Sequence, residues 1–175
     1  MLHNEPKLFH ALLEKITEAT IVYLKAQIEA GADVIQIFDS QGGTLAPNMF
    51  WKISGRWMQR IVDAIAGEVP TIVFARNVHH NWNEAVQTGA SALGVDWSIN
   101  LRETADALPS NIAVQGNLDP ALLLAKPEAA IAETPRILEE MRGRNGFIFN
   151  PGHGVPPEAD IAAIQAVAET VQGFK

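Results

Sequence analysis

Five short apolar runs alternate with longer amphipathic segments along the 175 residues of this chain. Most of the runs are rich in β-branched or aromatic residues and are bounded by Gly, Pro, Asn or Asp. Apolar runs without alternation are typical of parallel strands that are buried on both faces of a sheet. They predict strands over residues 33–38, 71–75, 92–95, 112–115 and 147–149.

Helices are predicted between these strands. The first covers residues 6–30, where an apolar stripe lies opposite charged positions and Gly31 ends the helix. The stripe consists of Leu8, Leu12, Ile16, Ile21, Leu24 and Ile28. Further long helices are predicted over residues 47–66, 127–141 and 157–172, the last with a proline in its first turn. Shorter helices are predicted after the remaining strands.

A helix followed by five strand–helix units predicts an α/β fold with a parallel sheet and right-handed crossovers. The pattern alone is compatible with a small open sheet and with about five-eighths of a (β/α)8 TIM-type barrel. A complete eight-stranded barrel needs roughly 200–250 residues or more. A chain of 175 residues therefore predicts at most a partial barrel, folded as a single domain over residues 1–175.

The charge and composition of the chain argue against several classes of partner and site. The chain has 13 basic and 20 acidic residues, a net charge of −7, which argues against nucleic acid as a partner. No apolar run reaches the roughly 18 residues of a membrane span, and the first residues are too charged for a signal peptide. We therefore expect a soluble cytoplasmic protein. The absence of cysteine excludes disulfides and thiolate metal sites.

Polar residues follow every predicted strand. Because ligands of parallel α/β folds bind at the carboxyl ends of the strands, these segments predict a site at that end of the sheet. Most loops are polar, so each segment taken alone is equally compatible with an ordinary connection. The segments are 39–43, 76–80, 96–98, 116–120 and 150–156.

The most informative of these residues is His153, which lies between Gly152 and Gly154. Glycines on both sides clear space around the imidazole and permit unusual backbone angles. A histidine displayed in this way can donate to a carboxylate or transfer a proton near neutral pH. The alternative is a surface histidine in a glycine-rich turn.

Three further side chains are candidates at the strand ends. Ser40 precedes paired glycines, a pattern that suits anion binding, although a simple turn in which Asp39 bonds its own backbone explains it equally well. Arg76 ends a strand and could clamp a substrate carboxylate. His79 is adjacent to His80, which makes the two a poor chelating pair, and we predict no metal site. The four tryptophans are interpreted as packing residues.

Several segments, in order and spacing, resemble the uroporphyrinogen decarboxylase family. The most specific are the run Gln-Gly-Asn-Leu-Asp-Pro at 115–120 and the Gly-His-Gly loop at 152–154. The other matching stretches are 27–40, 43–47, 74–75, 93–97 and the remainder of 149–155. The resemblance covers nearly the whole chain but only the C-terminal half or so of the family.

The resemblance implies a (β/α)8 barrel, with the active site at the strand carboxyl ends. It also implies removal of the four acetate carboxylates of uroporphyrinogen to give coproporphyrinogen in tetrapyrrole biosynthesis, with no metal or organic cofactor. It places Ser40 and His153 as catalytic, substrate-contacting residues, and it implies a homodimer. We add Arg76 and His79 as substrate-binding candidates.

The resemblance also implies that this chain lacks part of the family's substrate-binding site. The family's N-terminal portion carries a substrate-binding arginine, an aspartate that holds the pyrrole N–H groups and a tyrosine, and Tyr23 does not match the last of these. Pro151 stands where the family usually has leucine, and Gln41 replaces a bulkier residue. A chain at −7 should also repel a substrate with eight carboxylates. We therefore predict that the isolated chain does not decarboxylate uroporphyrinogen.

Two other functions compete with this prediction. A corrinoid-dependent methyltransferase of the same superfamily would need a zinc held by thiolate, which a chain without cysteine cannot supply. A non-catalytic half-barrel, which pairs with itself or complements another chain, would protect its open sheet edges by association.

Overall fold

Helices and strands alternate along the chain in the predicted order. The structure, a computed structural model, describes residues 1–78 and 80–174. Contacts divide the chain into two compact units, the first covering residues 1–91 and the second beginning at Ala92.

The described residues of the first unit form two parallel strands and three α-helices. Strand β1 (Ile35–Asp39) pairs with β2 (Thr71–Ala75), with Ile35 opposite Thr71 and Asp39 opposite Ala75. The helices are α1 (Pro6–Glu29), α2 (Arg56–Ala64) and α3 (Trp82–Gln87). Because the two strands end in register, the loops that follow them lie at the same end of the sheet.

The apolar stripe of α1 is only partly buried. The helix has the predicted bounds, and its C-terminal half packs Leu24 into a cluster with Ile35, Ile61 and Ile65. The N-terminal part of the stripe, by contrast, is exposed: Ile16 keeps 51% of its surface in solvent. Half of this amphipathic face therefore lacks the burial that its pattern predicts.

The predicted helix over residues 47–66 is wrong in its first half. Short 3₁₀ turns cover Gly42–Thr44 and Pro47–Met49, a π-helical turn covers Trp51–Gly55, and α2 begins only at Arg56. The wider turn lets the indole of Trp51 lie against the backbone at Gly55, where a Cβ would lie 2.7 Å from Cε3 of the ring. Periodicity detects the helical run but not this change in winding.

Up to residue 174, where the description ends, the second unit forms three parallel strands and three α-helices. Strand β4 (Ala113–Leu118) lies between β3 (Ala92–Gly94) and β5 (Phe147–Pro151). The helices are α4 (Leu101–Ala107), α5 (Pro127–Glu140) and α6 (Ile161–Gly173), and a 3₁₀ turn covers Pro120–Leu124. Its fully buried side chains include Leu93, Leu101, Val114, Leu118, Leu123 and Ile137.

The last helix begins later than predicted. Pro157 is outside it, and Asp160 is the N-cap, with an extended backbone and a carboxylate that accepts the Ala162 N–H at 2.9 Å. An extended N-cap residue cannot continue a helix from the preceding prolines, so the first turn starts at Ile161. All five predicted strands and helix α5 lie within a few residues of their predictions.

The observed α/β class, with parallel strands alternating with helices, confirms the fold prediction. Among the described residues, no helix combines the length and the hydropathy that a membrane span requires.

Candidate functional site

Ser40 lies directly after β1 and is exposed. The preceding carboxylate, Asp39, shapes the loop through both of its oxygens. Its Oδ1 accepts the Gln41 N–H at 2.9 Å, and its Oδ2 accepts the hydroxyl of Ser54 at 2.6 Å. The first bond is the self-bonding turn that one reading of the sequence predicts. The second joins the Ser40 loop to the buried π-helical turn, and no sequence pattern indicated it.

The loop after β2 packs against the Ser40 loop. The N–H of Arg76 donates to the carbonyl of Asp39 at 3.1 Å, and Arg76 is half-buried. A Cβ on Gly43 would lie only 2.8 Å from the Arg76 carbonyl oxygen, and it would collide with the side chain of Asn77 as well. The first unit therefore brings Ser40 and Arg76 to neighbouring loops. His79 lies outside the described residues, and His80 is exposed.

His153 lies two residues after the end of β5, in the second unit, and is half-buried. The preceding Gly152 is buried, and its N–H donates to the carbonyl of Leu118 at the end of β4 at 2.7 Å. A Cβ on Gly152 would lie 2.5 Å from the backbone nitrogen of Trp97, whereas one on Gly154 would meet nothing within 4 Å. The two glycines that flank His153 thus differ: only the first is required by close packing.

The ring of His153 meets the indole of Trp97 edge-on, with ring centroids 6.2 Å apart and an interplanar angle of 87°. T-shaped pairs of this kind are a favoured arrangement of aromatic rings. Trp97 is a packing residue, as predicted for the tryptophans, and the ring that it packs against is that of His153, the main catalytic candidate.

A tight turn after β3 carries Trp97. The Oδ1 atom of Asp96 accepts the Ser98 N–H at 2.9 Å and the Ser98 hydroxyl at 2.5 Å. The side-chain amide of Asn117 donates to the carbonyls of Asp96, at 3.0 Å, and Ile99, at 3.1 Å. Sequence reasoning missed Asn117. The Asp-x-Ser spacing at 96–98 was the available signal for the turn itself.

A carboxylate-rich cluster lies beside this turn. Arg136 donates to Glu133 and to Glu140 at 2.6 Å each, and the bond to Glu133 is the main cause that raises the pKa of the guanidinium above its usual range. A polar cavity of about 180 Å³ lies between this cluster, Trp97 and Asn117. Across the part of the chain that the structure describes, no three histidine or carboxylate side chains group as metal ligands would.

Comparisons with known proteins show the family of this chain. The family model described as uroporphyrinogen decarboxylase (URO-D) matches residues 1–174. A uroporphyrinogen decarboxylase from Alcanivorax borkumensis is 39% identical over 98% of this chain and 50% of its own length. One from Alkalilimnicola ehrlichii is 43% identical over 95% of this chain and 48% of its own length.

A solved structure shares the fold. A methyltransferase from Methanosarcina mazei superposes with a TM-score of 0.78 at 24% identity, over 89% of this chain and 46% of the other. At that identity the likeness supports the predicted TIM-barrel-type class alone. The chain spans about half the length of the curated relatives it matches. The family match over residues 1–174 shows that the chain belongs to the uroporphyrinogen decarboxylase family.

Proposed function

We propose that this chain provides part of the site that removes the four acetate carboxylates of uroporphyrinogen, giving coproporphyrinogen, in haem and other tetrapyrrole biosynthesis. The observation that carries the proposal is the position of His153. It lies in a Gly-His-Gly loop at a strand end, where Gly152 and Trp97 hold the loop, and the chain belongs to this family. The relatives named above are uroporphyrinogen decarboxylases at 39% and 43% identity.

The chemistry requires few protein groups. Each acetate loses CO₂ and gains one proton, so that –CH₂–COO⁻ becomes –CH₃. The electron pair of the broken C–C bond passes into the protonated pyrrole of the substrate itself, so the proposal includes no metal or organic cofactor. The protein has to move protons, hold carboxylates and compensate charge.

We assign the catalytic role to His153 and Ser40, both in contact with the substrate. The imidazole can transfer a proton near neutral pH, and the exposed Ser40 hydroxyl can hydrogen-bond a substrate oxygen. Arg76 is assigned to carboxylate binding because a guanidinium matches a carboxylate with two parallel hydrogen bonds. His79 is assigned to substrate binding on its sequence position alone.

The isolated chain is proposed to be inactive. Its net charge of −7 opposes the approach of a substrate with eight carboxylates, and it spans half the length of its relatives. Arg136 does not offset this charge repulsion, because its guanidinium is already hydrogen-bonded to Glu133 and Glu140. The rest of the positive charge has to come from groups outside these 175 residues. A cytoplasmic location and a homodimer remain part of the proposal, supported by the family resemblance.

The test is a turnover assay with uroporphyrinogen under exclusion of air, followed by oxidation and measurement of coproporphyrin absorbance. We expect no product from the purified chain. We expect product when the half of the Alcanivorax borkumensis relative that this chain does not span is added. Turnover by the chain alone would contradict the proposed inactivity. A stable complex of the two pieces that yields no product would contradict the proposed function.

A second candidate, a non-catalytic half-barrel that associates with itself or complements another chain, is favoured by the open edge of β1. An apolar groove of about 530 Å³ lies between α1 and β1, and Ile16, Tyr23 and Phe38 are among its lining residues. Right-handed crossover would place a strand that precedes α1 beside β1, beneath that helix. Phe38 is 61% exposed on this edge, which invites pairing with another chain.

The second unit has a comparable apolar groove beside β5. Its volume is about 350 Å³, and it is lined by residues of β5 and α6 such as Phe149, Ile164 and Val167. Light scattering distinguishes the candidates: a self-associating half-barrel is larger than one chain at all working concentrations, while a chain that awaits a different partner stays monomeric until that partner is added.

A further inference from the structure

We propose that Trp97 and Asn117 are positioning residues that set the place and the ring plane of His153. The catalytic meaning of this inference rests on the proposed function, because His153 is assigned to the reaction there. Both residues lie in segments that carry the family resemblance, at 93–97 and 115–120, but neither has a role in the chemistry described above.

The first step is the contact between the two rings. The edge-on arrangement of His153 and Trp97, at 87° and 6.2 Å, restricts how far the imidazole can rotate on that side. Proton transfer depends on which ring nitrogen faces the reacting atom, and a ring that turns freely presents the correct nitrogen only part of the time. A fixed aromatic neighbour increases the fraction of time for which the correct nitrogen faces the reacting atom.

The second step is the anchoring of Trp97 itself. A single side chain, Asn117, donates to two carbonyls that lie on either side of Trp97 in the sequence, those of Asp96 and Ile99. Asn117 is 7% exposed and sits on the central strand of its unit. The amide therefore fixes both ends of the turn that carries the indole.

The third step joins the turn to the histidine loop. Gly152 approaches the Trp97 backbone so closely that a Cβ would lie 2.5 Å from its nitrogen, and the Gly152 N–H is bonded to the Leu118 carbonyl at 2.7 Å. Asn117 and Leu118 are consecutive residues of β4. One strand end thus holds the Trp97 turn through a side chain and the His153 loop through its backbone.

The geometry is tested on the isolated chain by NMR with ring-labelled histidine, where the His153 signals are assigned by their loss in His153→Gln. In the unaltered chain, cross-relaxation should connect the His153 ring with the indole of Trp97, and Trp97→Leu should move the His153 signals toward their positions in the urea-unfolded chain. Trp97→Phe, which keeps an aromatic ring, should retain most of the displacement. Trp82→Leu, which removes an indole in the first unit, should leave the His153 signals unchanged.

Asn117→Asp tests the anchor with almost no change in shape, because it removes both N–H donors. The His153 signals should shift in the same direction as in Trp97→Leu, while the backbone amide signals of α5 and α6 stay in place and show that the second unit is folded. Unchanged His153 signals in folded Trp97→Leu or Asn117→Asp would overturn the inference.

The catalytic consequence is tested with the chain supplemented by the remaining half of the relative. Trp97→Leu should lower kcat by about 10²-fold with little change in KM, since misplacement of a reacting group affects the chemical step. Trp97→Phe should restore most of the loss. Unchanged kcat in Trp97→Leu would overturn the positioning role. Absence of turnover by the supplemented unaltered chain would instead contradict the proposed function, while the NMR result would still decide the geometry.

Discussion

Gly152 lies so close to Trp97 that no side chain fits between them. A Cβ on Gly152 would lie 2.5 Å from the Trp97 nitrogen and 3.1 Å from its Cβ. This contact fixes the start of the His153 loop against the turn that follows β3. The glycine on the other side of the histidine has open space around it, so the pair provides a matched comparison.

Gly152→Ala should destabilise the chain and displace His153. We expect a loss of about 1–3 kcal/mol in the free energy of unfolding, the usual cost of overpacking a site that cannot relax. Gly154→Ala should stay within about 0.5 kcal/mol of the unaltered chain. Urea denaturation of both variants measures the difference, and equal stabilities would show that the Gly152 contact is not tight.

The contact between the Ser40 and Arg76 loops makes a similar prediction in the first unit. Gly43→Ala would place a Cβ 2.8 Å from the Arg76 carbonyl, and both loop backbones would have to move. We expect a destabilisation of about 1–3 kcal/mol. Gly173→Ala, at a position with nothing within 4 Å, is the control. A Gly43→Ala variant as stable as Gly173→Ala would contradict the packing of the two loops.

The bond between Asp39 and Ser54 predicts coupling across the first unit. The carboxylate accepts the Ser54 hydroxyl at 2.6 Å and the Gln41 N–H at 2.9 Å. Asp39→Asn should cost about 1–3 kcal/mol, since it replaces one acceptor of a charge-assisted pair by a donor.

A double-mutant cycle isolates the bond itself. Asp39→Asn and Ser54→Ala together should destabilise the chain by less than the sum of the two single changes, with a coupling energy of at least about 0.5 kcal/mol. Asp33→Asn, at an exposed position, serves as the control. Strict additivity of Asp39→Asn and Ser54→Ala would mean that the hydroxyl and the carboxylate do not interact in solution.

The strand pattern could be predicted because parallel strands bury both faces and so appear as continuous apolar runs. Thr71–Ala75, which is buried at every position, coincides with its prediction. Helix ends were harder to predict: the last helix was predicted from Pro157, whereas the capping bond of Asp160, at 2.9 Å, starts it at Ile161. The winding of Trp51–Gly55 depends on how one indole packs, which a periodicity does not encode.

The candidate site was predictable in its parts but not in its connections. The Gly-His-Gly loop and the residues after each strand are visible in the sequence. The bonds from Asn117 to Asp96 and Ile99 join residues 18 to 21 positions apart, and the pairing of β4 with its neighbours determines them. The exposed part of α1 was unexpected because an apolar stripe indicates a buried face without showing whether the packing partner belongs to the same chain.

The open edge of β1 predicts how the chain associates when it is on its own. If the edge of β1 drives self-association, Phe38→Lys should reduce it, because a lysine on an open edge opposes strand pairing. Leu124→Lys, which replaces a residue that is 53% exposed in the second unit, is the control. Light scattering at several concentrations reads the result. A mass that falls equally in both variants, or in neither, would exclude the β1 edge as the contact.

The central claim, that His153 acts on the substrate in a decarboxylase completed from outside this chain, is tested most directly by one rate. The chain supplemented with the remaining half of a relative is assayed for coproporphyrinogen, and His153→Gln is compared with His3→Gln, which changes an exposed histidine far from the strand-end segments in sequence. We predict a loss of at least about 10²-fold in kcat for His153→Gln, as expected on removal of a proton-transfer group, and none for His3→Gln. Equal rates for the two variants would contradict the account.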